Sequence, residues 1–232
     1  MRTLLYFPII HSGADMGSFA ASHALKGEVE FGKEFWESHI STVEKYWEII
    51  RKYCGSIDCS SKTVKIYQDG MVIDGEIARK IIEDSVKAGS KNYEIISDLV
   101  FNGAIIVRTE ELSLVKKEID LLKTIPSSGP AILKIIRILW FKILRARLLH
   151  QRDKFIAGRI AETLGPNETG IIFIGAYHEI LKRLPKDIHV TEFKEIQKVR
   201  TYQKLLPFHS NNKQQFLELS QYLAKPVINN VP

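Results

Sequence analysis

Cysteine is scarce in this 232-residue sequence, which contains only Cys54 and Cys59, and no second pair of zinc-binding residues follows them. A zinc knuckle therefore lacks a ligand set, and we expect two free thiols in a reduced, cytoplasmic protein. We also expect no cleavable leader, because the first apolar run continues into His11 without a small-residue cleavage site. This pattern favours a cytoplasmic protein over a secreted domain built on disulfides.

Several familiar motifs are absent as well. The sequence has neither a P-loop nor the glycine pattern of a Rossmann fold, which argues against those nucleotide sites. It has no Gly-x-Ser-x-Gly elbow and no cysteine-nucleophile signature, which disfavours covalent acyl-enzyme chemistry. The net charge of +6 is modest and spread out, and no nucleic-acid-binding motif is present, so we expect no nucleic-acid partner.

What the sequence does contain is an alternation of apolar runs and amphipathic stretches. The pattern predicts strands at 4–10, 64–67, 104–107, 170–175 and 188–193, and helices at 31–53, 75–88, 93–102, 111–123, 131–164 and 179–183. Strands that alternate with helices indicate a mainly parallel sheet with helices on both faces. We therefore predict a single three-layer α/β domain over 1–232, with a long helical segment after residue 130, a subdivision near 126–130 and a partly extended tail from about 208 to 232.

Polar residues follow four of the predicted strands: His11, Asp69, Glu110 and His178. In parallel sheets, ligands bind outside the carboxyl ends of the strands, so these residues are the candidates for a site. One hypothesis is a divalent metal held by His11, His178 and Glu110. The other is a metal-free acid–base site in which a carboxylate sets the tautomer of a histidine. The sequence leaves both open.

A second group of candidates lies in residues 148–164, LLHQRDKFIAGRIAETL. The apolar residues recur at helical spacing and are expected to face the core, whereas Arg152 and Asp153 are expected to lie off that stripe. Composition favours a solvated charged face with weak local ion pairs for these residues. As functional groups, Arg152 could instead clamp an anionic group or developing charge, and Asp153 could orient Arg152 or a histidine.

The same helix and the following strand, GIIFIGAYHEI, resemble the C-terminal signature of the TraB/Tiki superfamily, which includes erythromycin-esterase-like and ChaN-like proteins. Arg152 and Asp153 match the Arg and Asp of its helix motif, and Gly175 and His178 match its Gly-x-x-His. Gln151 stands where the family has Glu, and no glycine matches the earlier Gly-x-x-His that ends at His11. The resemblance covers about residues 148–180 and implies a metal-dependent hydrolase or, in the ChaN-like branch, a haem-binding protein.

The segment 131–149, AILKIIRILWFKILRARLL, is apolar but is interrupted by five cations. Each would cost roughly 2.5–3.5 kcal/mol at the centre of a bilayer, so we do not expect it to span a membrane. We interpret it as a core or dimer-interface helix whose lysine and arginine side chains lie along a solvent-exposed edge. A membrane-surface helix or a lid over the site is the alternative.

Together these features lead to three functional hypotheses. The first is a hydrolase of small-molecule or peptide substrates, with or without a divalent metal, whose candidate residues are His11, His178, Asp69, Glu110, Arg152 and Asp153. The second is a non-enzymatic module of the same fold that binds haem, an anion or a protein partner. The third is a peripheral membrane protein.

Overall fold

One five-stranded sheet, in which every pair of neighbours runs parallel, organises the described part of the chain. The computed structural model describes residues 1–10, 27–123 and 131–227, and for residues 131–139 it describes the backbone alone. The strands are β1 (Arg2–Ile9), β2 (Val64–Gln68), β3 (Ile105–Val107), β4 (Thr169–Gly175) and β5 (Ile188–Glu192). Their order is β3-β2-β4-β1-β5, which confirms the predicted parallel α/β sheet.

Helices connect and cover the strands. They are α1 (Lys33–Cys54), α2 (Gly75–Lys87), α3 (Lys91–Phe101), α4 (Leu112–Lys123), α5 (Ala131–Thr163), α6 (Ile196–Leu205) and α7 (Lys213–Leu223), with short 3-10 turns at Leu181–Arg183 and Leu206–Asn211. The helices and strands predicted from the hydrophobic pattern begin and end within a few residues of these. The long helix after residue 130 is confirmed, whereas the predicted subdivision at 126–130 lies outside the described residues.

Alternate side chains of β1 point to opposite faces of the sheet and define two cores. Leu5, Phe7 and Ile9 enter the larger core, to which α1, α2, α3, α6 and α7 contribute. Leu4 and Tyr6 enter the smaller core, which is closed by the C-terminal half of α5. Helix, sheet and helix therefore form the three layers that the sequence predicts.

The C-terminal tail was predicted to be partly extended from about residue 208. Within the described residues α7 is helical and buries Phe216 and Leu223 against the larger core, and residues 228–232 lie outside the described range. The Lys194 ammonium donates to the carbonyl oxygens of Tyr222 at 2.9 Å and Lys225 at 2.7 Å, which holds the end of α7. These two apolar residues are enough to hold a tail that is otherwise polar, because a helix needs few apolar residues to pack.

The long helix α5 has two different halves. Ile156, Ala157 and Ile160 in its C-terminal half are buried against the sheet, so this half fixes the residues just before them over the strand ends. Residues 140–147 of the same helix are largely exposed. Among the described residues, no helix is long and apolar enough to cross a membrane.

Candidate active site

The carboxyl ends of β2, β3 and β4 bring Asp69, Glu110 and His178 together. Asp69 directly follows β2, and its amide donates to the Phe173 carbonyl of β4 at 2.9 Å. The chain turns at once because Gly70 has φ of 79°, in the left-handed region that favours glycine. The turn at Gln68-Asp69-Gly70 is closed by the Met71 amide, which donates to the Gln68 carbonyl at 3.0 Å, and it leaves the Asp69 side chain at the sheet edge.

Arg152 lies at the centre of this group. Its Nη2 donates to Asp69 Oδ1 at 2.6 Å and to Glu110, its Nε donates to Glu110 Oε2 at 3.0 Å, and its Nη1 donates to Glu118 of α4. The side chain is buried. Burial lowers the pKa of the guanidinium, but the bond to Glu110 and the charge of Asp69 more than offset this, so the net shift is upward. Arg152 is thus a permanent buried cation held by three carboxylates.

His178 is the second cation of the site. Its Nδ1 lies 2.6 Å from Asp153 Oδ1, and its Nε2 lies 3.5 Å from Asp69 Oδ2. The second oxygen of Asp153 accepts the Glu179 amide at 2.9 Å, which fixes the turn that follows β4. Burial lowers the pKa of His178, but the charges of Asp69 and Asp153 outweigh burial and raise it to about 9. The imidazole is therefore protonated at neutral pH.

Glu110 is fully buried, and both of its oxygens contact Arg152. Its backbone is fixed because the amides of Thr109 and Glu110 donate to the Met71 carbonyl at 2.8 and 2.9 Å. Burial raises the pKa of the Glu110 carboxyl, the bond to Arg152 opposes this, and the nearby charge of Asp69 adds to the rise. Glu110 is thus a carboxylic acid with an elevated pKa in direct contact with a cation.

The charges of the site do not balance. Four carboxylates (Asp69, Glu110, Glu118 and Asp153) contact two cations (Arg152 and His178), which leaves an excess of two negative charges when every group is ionised. In a buried site such an excess favours protonation of a carboxylate or the approach of a positive group. An incoming anion would have to compete with three carboxylates for Arg152, so the anion-clamp role stays a prediction.

Two residues of the site were not among the candidates. Glu118 comes from α4, where nothing in the sequence separates it from other acidic residues on an amphipathic helix. Tyr6 of β1 is fully buried, and its hydroxyl has no hydrogen-bond partner among the described residues. Burial raises its pKa, and the charges of Asp153 and Asp69 raise it further. The sequence feature that could have identified Tyr6 is its hydroxyl group, a polar group in a largely apolar strand.

The burial of Arg152 and Asp153 corrects the expectation of a solvated face. Asp153 precedes the buried Ile156, Ala157 and Ile160 by three, four and seven residues, so it lies on the apolar stripe rather than off it. Arg152 adjoins it and reaches across the strand ends. Composition alone therefore misjudged the environment of both residues.

His11 lies outside the described residues, so the metal set of His11, His178 and Glu110 stays a prediction. The strands that carry the two histidines are neighbours, since Ile9 pairs with Gly175. Among the described residues, however, no group of three His, Cys, Asp or Glu side chains is placed to hold a metal ion. His178 and Glu110 each contact other site residues instead, so the described residues alone do not fit a metal. The acid–base reaction described below uses no metal ion.

Comparisons with protein-family models, curated proteins and solved structures found no match to this chain. Membership of the TraB/Tiki superfamily therefore stays a prediction that depends on residues 148–180. Of the residues that carry the resemblance, Arg152, Asp153 and His178 contact one network, and the Gly175 amide donates to Asp69 Oδ2 at 3.2 Å. Any function proposed for the chain therefore depends on the geometry of the site.

Proposed function

We propose that the chain is a hydrolase that uses an acid–base site centred on Asp69 and His178. The observation that supports this most directly is the position of Asp69. Its two oxygens face both cations of the site, with Oδ1 at 2.6 Å from Arg152 and Oδ2 at 3.5 Å from His178. A protonated histidine that lies beside a carboxylate supplies an acid and a base together, and such pairs are typical of acid–base catalysis.

Accessibility supports a division of labour between these residues. The Asp69 side chain is 13% exposed, whereas His178 is 4% exposed and Glu110 is fully buried. Asp69 is therefore the group that a water molecule or substrate meets first. The Gly175 amide and the Arg152 guanidinium hold its carboxylate in place.

The proposed reaction is hydrolysis of a carbonyl substrate, either a small molecule or a peptide. Asp69 accepts a proton from a water molecule, and the water oxygen forms the new bond to the carbonyl carbon. His178 gives its Nε2 proton to the leaving atom as the old bond breaks. The proton on Asp69 then passes to His178 across the 3.5 Å between them, which restores both groups. Arg152 keeps its charge throughout and holds the Asp69 side chain in position.

The test is hydrolysis of ester, peptide and phosphoester reporter substrates by the full chain, with and without added Mn²⁺ or Zn²⁺. Asp69→Asn and His178→Gln should each lower the rate by at least about 100-fold, and the rate should fall as the pH rises through about 9, where His178 loses its proton. His189→Gln, at an exposed histidine, is the matched control. Absence of hydrolysis in every condition, or full activity in Asp69→Asn, rejects the proposal.

A metal-assisted version of the same proposal has a separate readout. It predicts that the purified protein retains one divalent metal per chain and that His178→Ala loses this metal without unfolding. Metal-free protein that is fully active supports the acid–base site alone.

One observation favours a second candidate, a binding module without chemistry. All three nitrogens of Arg152 and both nitrogens of His178 already face carboxylates of the protein. Such a network can stabilise the fold without taking part in a reaction. Thermal shift with haem, divalent cations and small anions tests this candidate. A haem Soret band that disappears in His178→Ala, together with absence of hydrolysis, favours binding over catalysis.

We also propose a cytoplasmic location, which the cysteines support. Cys54 and Cys59 are both free and buried, as expected where thiols stay reduced. Labelling of denatured protein from cells with a thiol reagent should find both thiols reduced.

A further inference from the structure

Helix α4 and residues 140–149 of α5 expose an unusual amount of apolar surface. Helix α4 has no buried residue, and its Leu112, Ile119 and Leu122 are all exposed. On α5, Trp140 is 58% exposed, and Ile143 and Leu144 are exposed as well. The two helices are in contact, and we call their exposed apolar side chains together the α4–α5 face. A large exposed apolar surface of this kind marks an interaction site.

Two cations of α5 lie on the side of the helix opposite to its exposed apolar side chains. Arg147, which is also exposed, follows Trp140 by seven residues and lies at the end of the apolar side. Trp140, Ile143 and Leu144 follow the spacing i, i+3, i+4 and share one side. Lys142 and Arg145, also i and i+3, project from the opposite side and are exposed. An apolar side with an exposed tryptophan and a cationic side are typical of helices that lie in a membrane interface.

Charge is concentrated in the same part of the chain. From Leu121 to Arg152 the sequence runs for 32 residues without an Asp or Glu, and it contains seven Lys or Arg. The whole chain has 33 basic and 27 acidic residues, so the rest of the chain is close to neutral. The candidate active site holds Arg152, and Lys123 pairs with Asp120 at 3.7 Å. The other five cations of this stretch have no acidic residue within three positions in the sequence.

The charge pattern distinguishes between the partners that an apolar face could bind. In a symmetric dimer the same patch meets itself, so a second copy would bring the cations of α5 close to one another. The exposed Asp120 of α4 already pairs with Lys123 at 3.7 Å, so it does not match them. A nucleic acid would match the charge but not the aliphatic side chains between the cations. Anionic lipid offers both phosphate charge and an apolar layer beneath it.

We propose that the α4–α5 face docks on the surface of a membrane that contains anionic lipid. The apolar side of α5 enters the interface between headgroups and acyl chains, and the cations remain at the headgroups. The helix lies on the bilayer and does not cross it. This proposal does not depend on the hydrolase proposal, because none of its residues belongs to the candidate active site.

The test is co-sedimentation of the full chain with vesicles of phosphatidylcholine alone or with added phosphatidylserine. We expect binding to the anionic vesicles only. Lys142→Glu combined with Arg145→Glu should weaken this binding by at least about 30-fold, since each cation near an anionic surface contributes about a five-fold effect. Lys52→Glu with Lys80→Glu changes two exposed cations on α1 and α2 by the same charge and should leave binding unchanged.

Tryptophan fluorescence gives an independent readout of insertion. Trp36 and Trp47 are buried, whereas Trp140 is exposed, so vesicle binding should shift the emission of Trp140 to the blue. The Trp140→Phe variant should bind the vesicles but lose the shift. Equal weakening in both charge-reversal pairs, or binding to neutral vesicles alone, overturns the proposal. A dimer in analytical ultracentrifugation that Trp140→Ser with Ile143→Ser abolishes, without vesicle binding by the parent chain, assigns the face to a second copy instead.

Discussion

Replacing His178 by Gln removes the imidazolium that lies between Asp69 and Asp153 and leaves a polar side chain of similar reach. The structure raises the pKa of this imidazole from 6.5 to about 9, because the two carboxylates outweigh the effect of burial. Each pKa unit corresponds to about 1.4 kcal/mol, so protonated His178 contributes roughly 3 kcal/mol to the free energy of unfolding.

The sign of the pH dependence follows from the direction of this shift. The folded-state pKa is higher than that of the unfolded chain, so the contribution is fully present below about pH 6.5 and is lost as the pH rises through about 9. Over that interval the wild-type protein should lose stability that the His178→Gln variant does not lose.

Urea unfolding of both proteins between about pH 6 and about pH 10 measures this difference. Other groups titrate in the same range, but their effects cancel when the variant is subtracted from the wild type. His189→Gln, at an exposed position, should reproduce the wild-type curve. An NMR titration in which His178 loses its proton below about pH 7 would refute the reasoning, because the two carboxylates could not then outweigh burial.

Four further substitutions test the network and the packing. Arg152→Met leaves Glu110 buried without its cation, so urea denaturation at neutral pH should show a loss of about 3–5 kcal/mol; an unchanged midpoint contradicts the buried pair. Tyr6→Phe removes a buried hydroxyl that lacks a partner within the described chain, so the melting temperature should stay or rise, and a clear fall would reveal a hidden bond. Gly170→Ala places a Cβ 2.8 Å from a leucine side chain and should cost about 1–3 kcal/mol by the same assay, whereas Gly158→Ala in α5, with nothing within 4 Å, should stabilise by about 0.5–1 kcal/mol.

The fold could be predicted from the sequence because buried parallel strands are continuous apolar runs that stand out between helical stretches. The sheet-edge rule likewise singled out Asp69, Glu110 and His178, which follow strands whose carboxyl ends meet. That rule needs only the order of the elements, not their packing.

The remaining features of the site depend on how the helices pack, and local sequence patterns do not show that packing. Composition placed Arg152 and Asp153 in solvent, but α5 lies over the strand ends and buries them. Glu118 joins the network only because α4 packs beside α5, and the linker between these helices gives no hint of that arrangement. The packing of the tail depends on Phe216 and Leu223, two buried apolar residues of α7 in a stretch that is largely polar.

Strand β1 lies between β4 and β5, although both of these strands follow it at a long distance in the sequence. Thr3 pairs with Thr169 on one side and with His189 on the other, so neither neighbour exists until translation has passed these residues. Until then the apolar strand β1 has both edges unpaired, a state that promotes aggregation. Sheet closure over such long separations is slow, and the yield of folded protein should therefore depend on chaperones that protect β1 during translation.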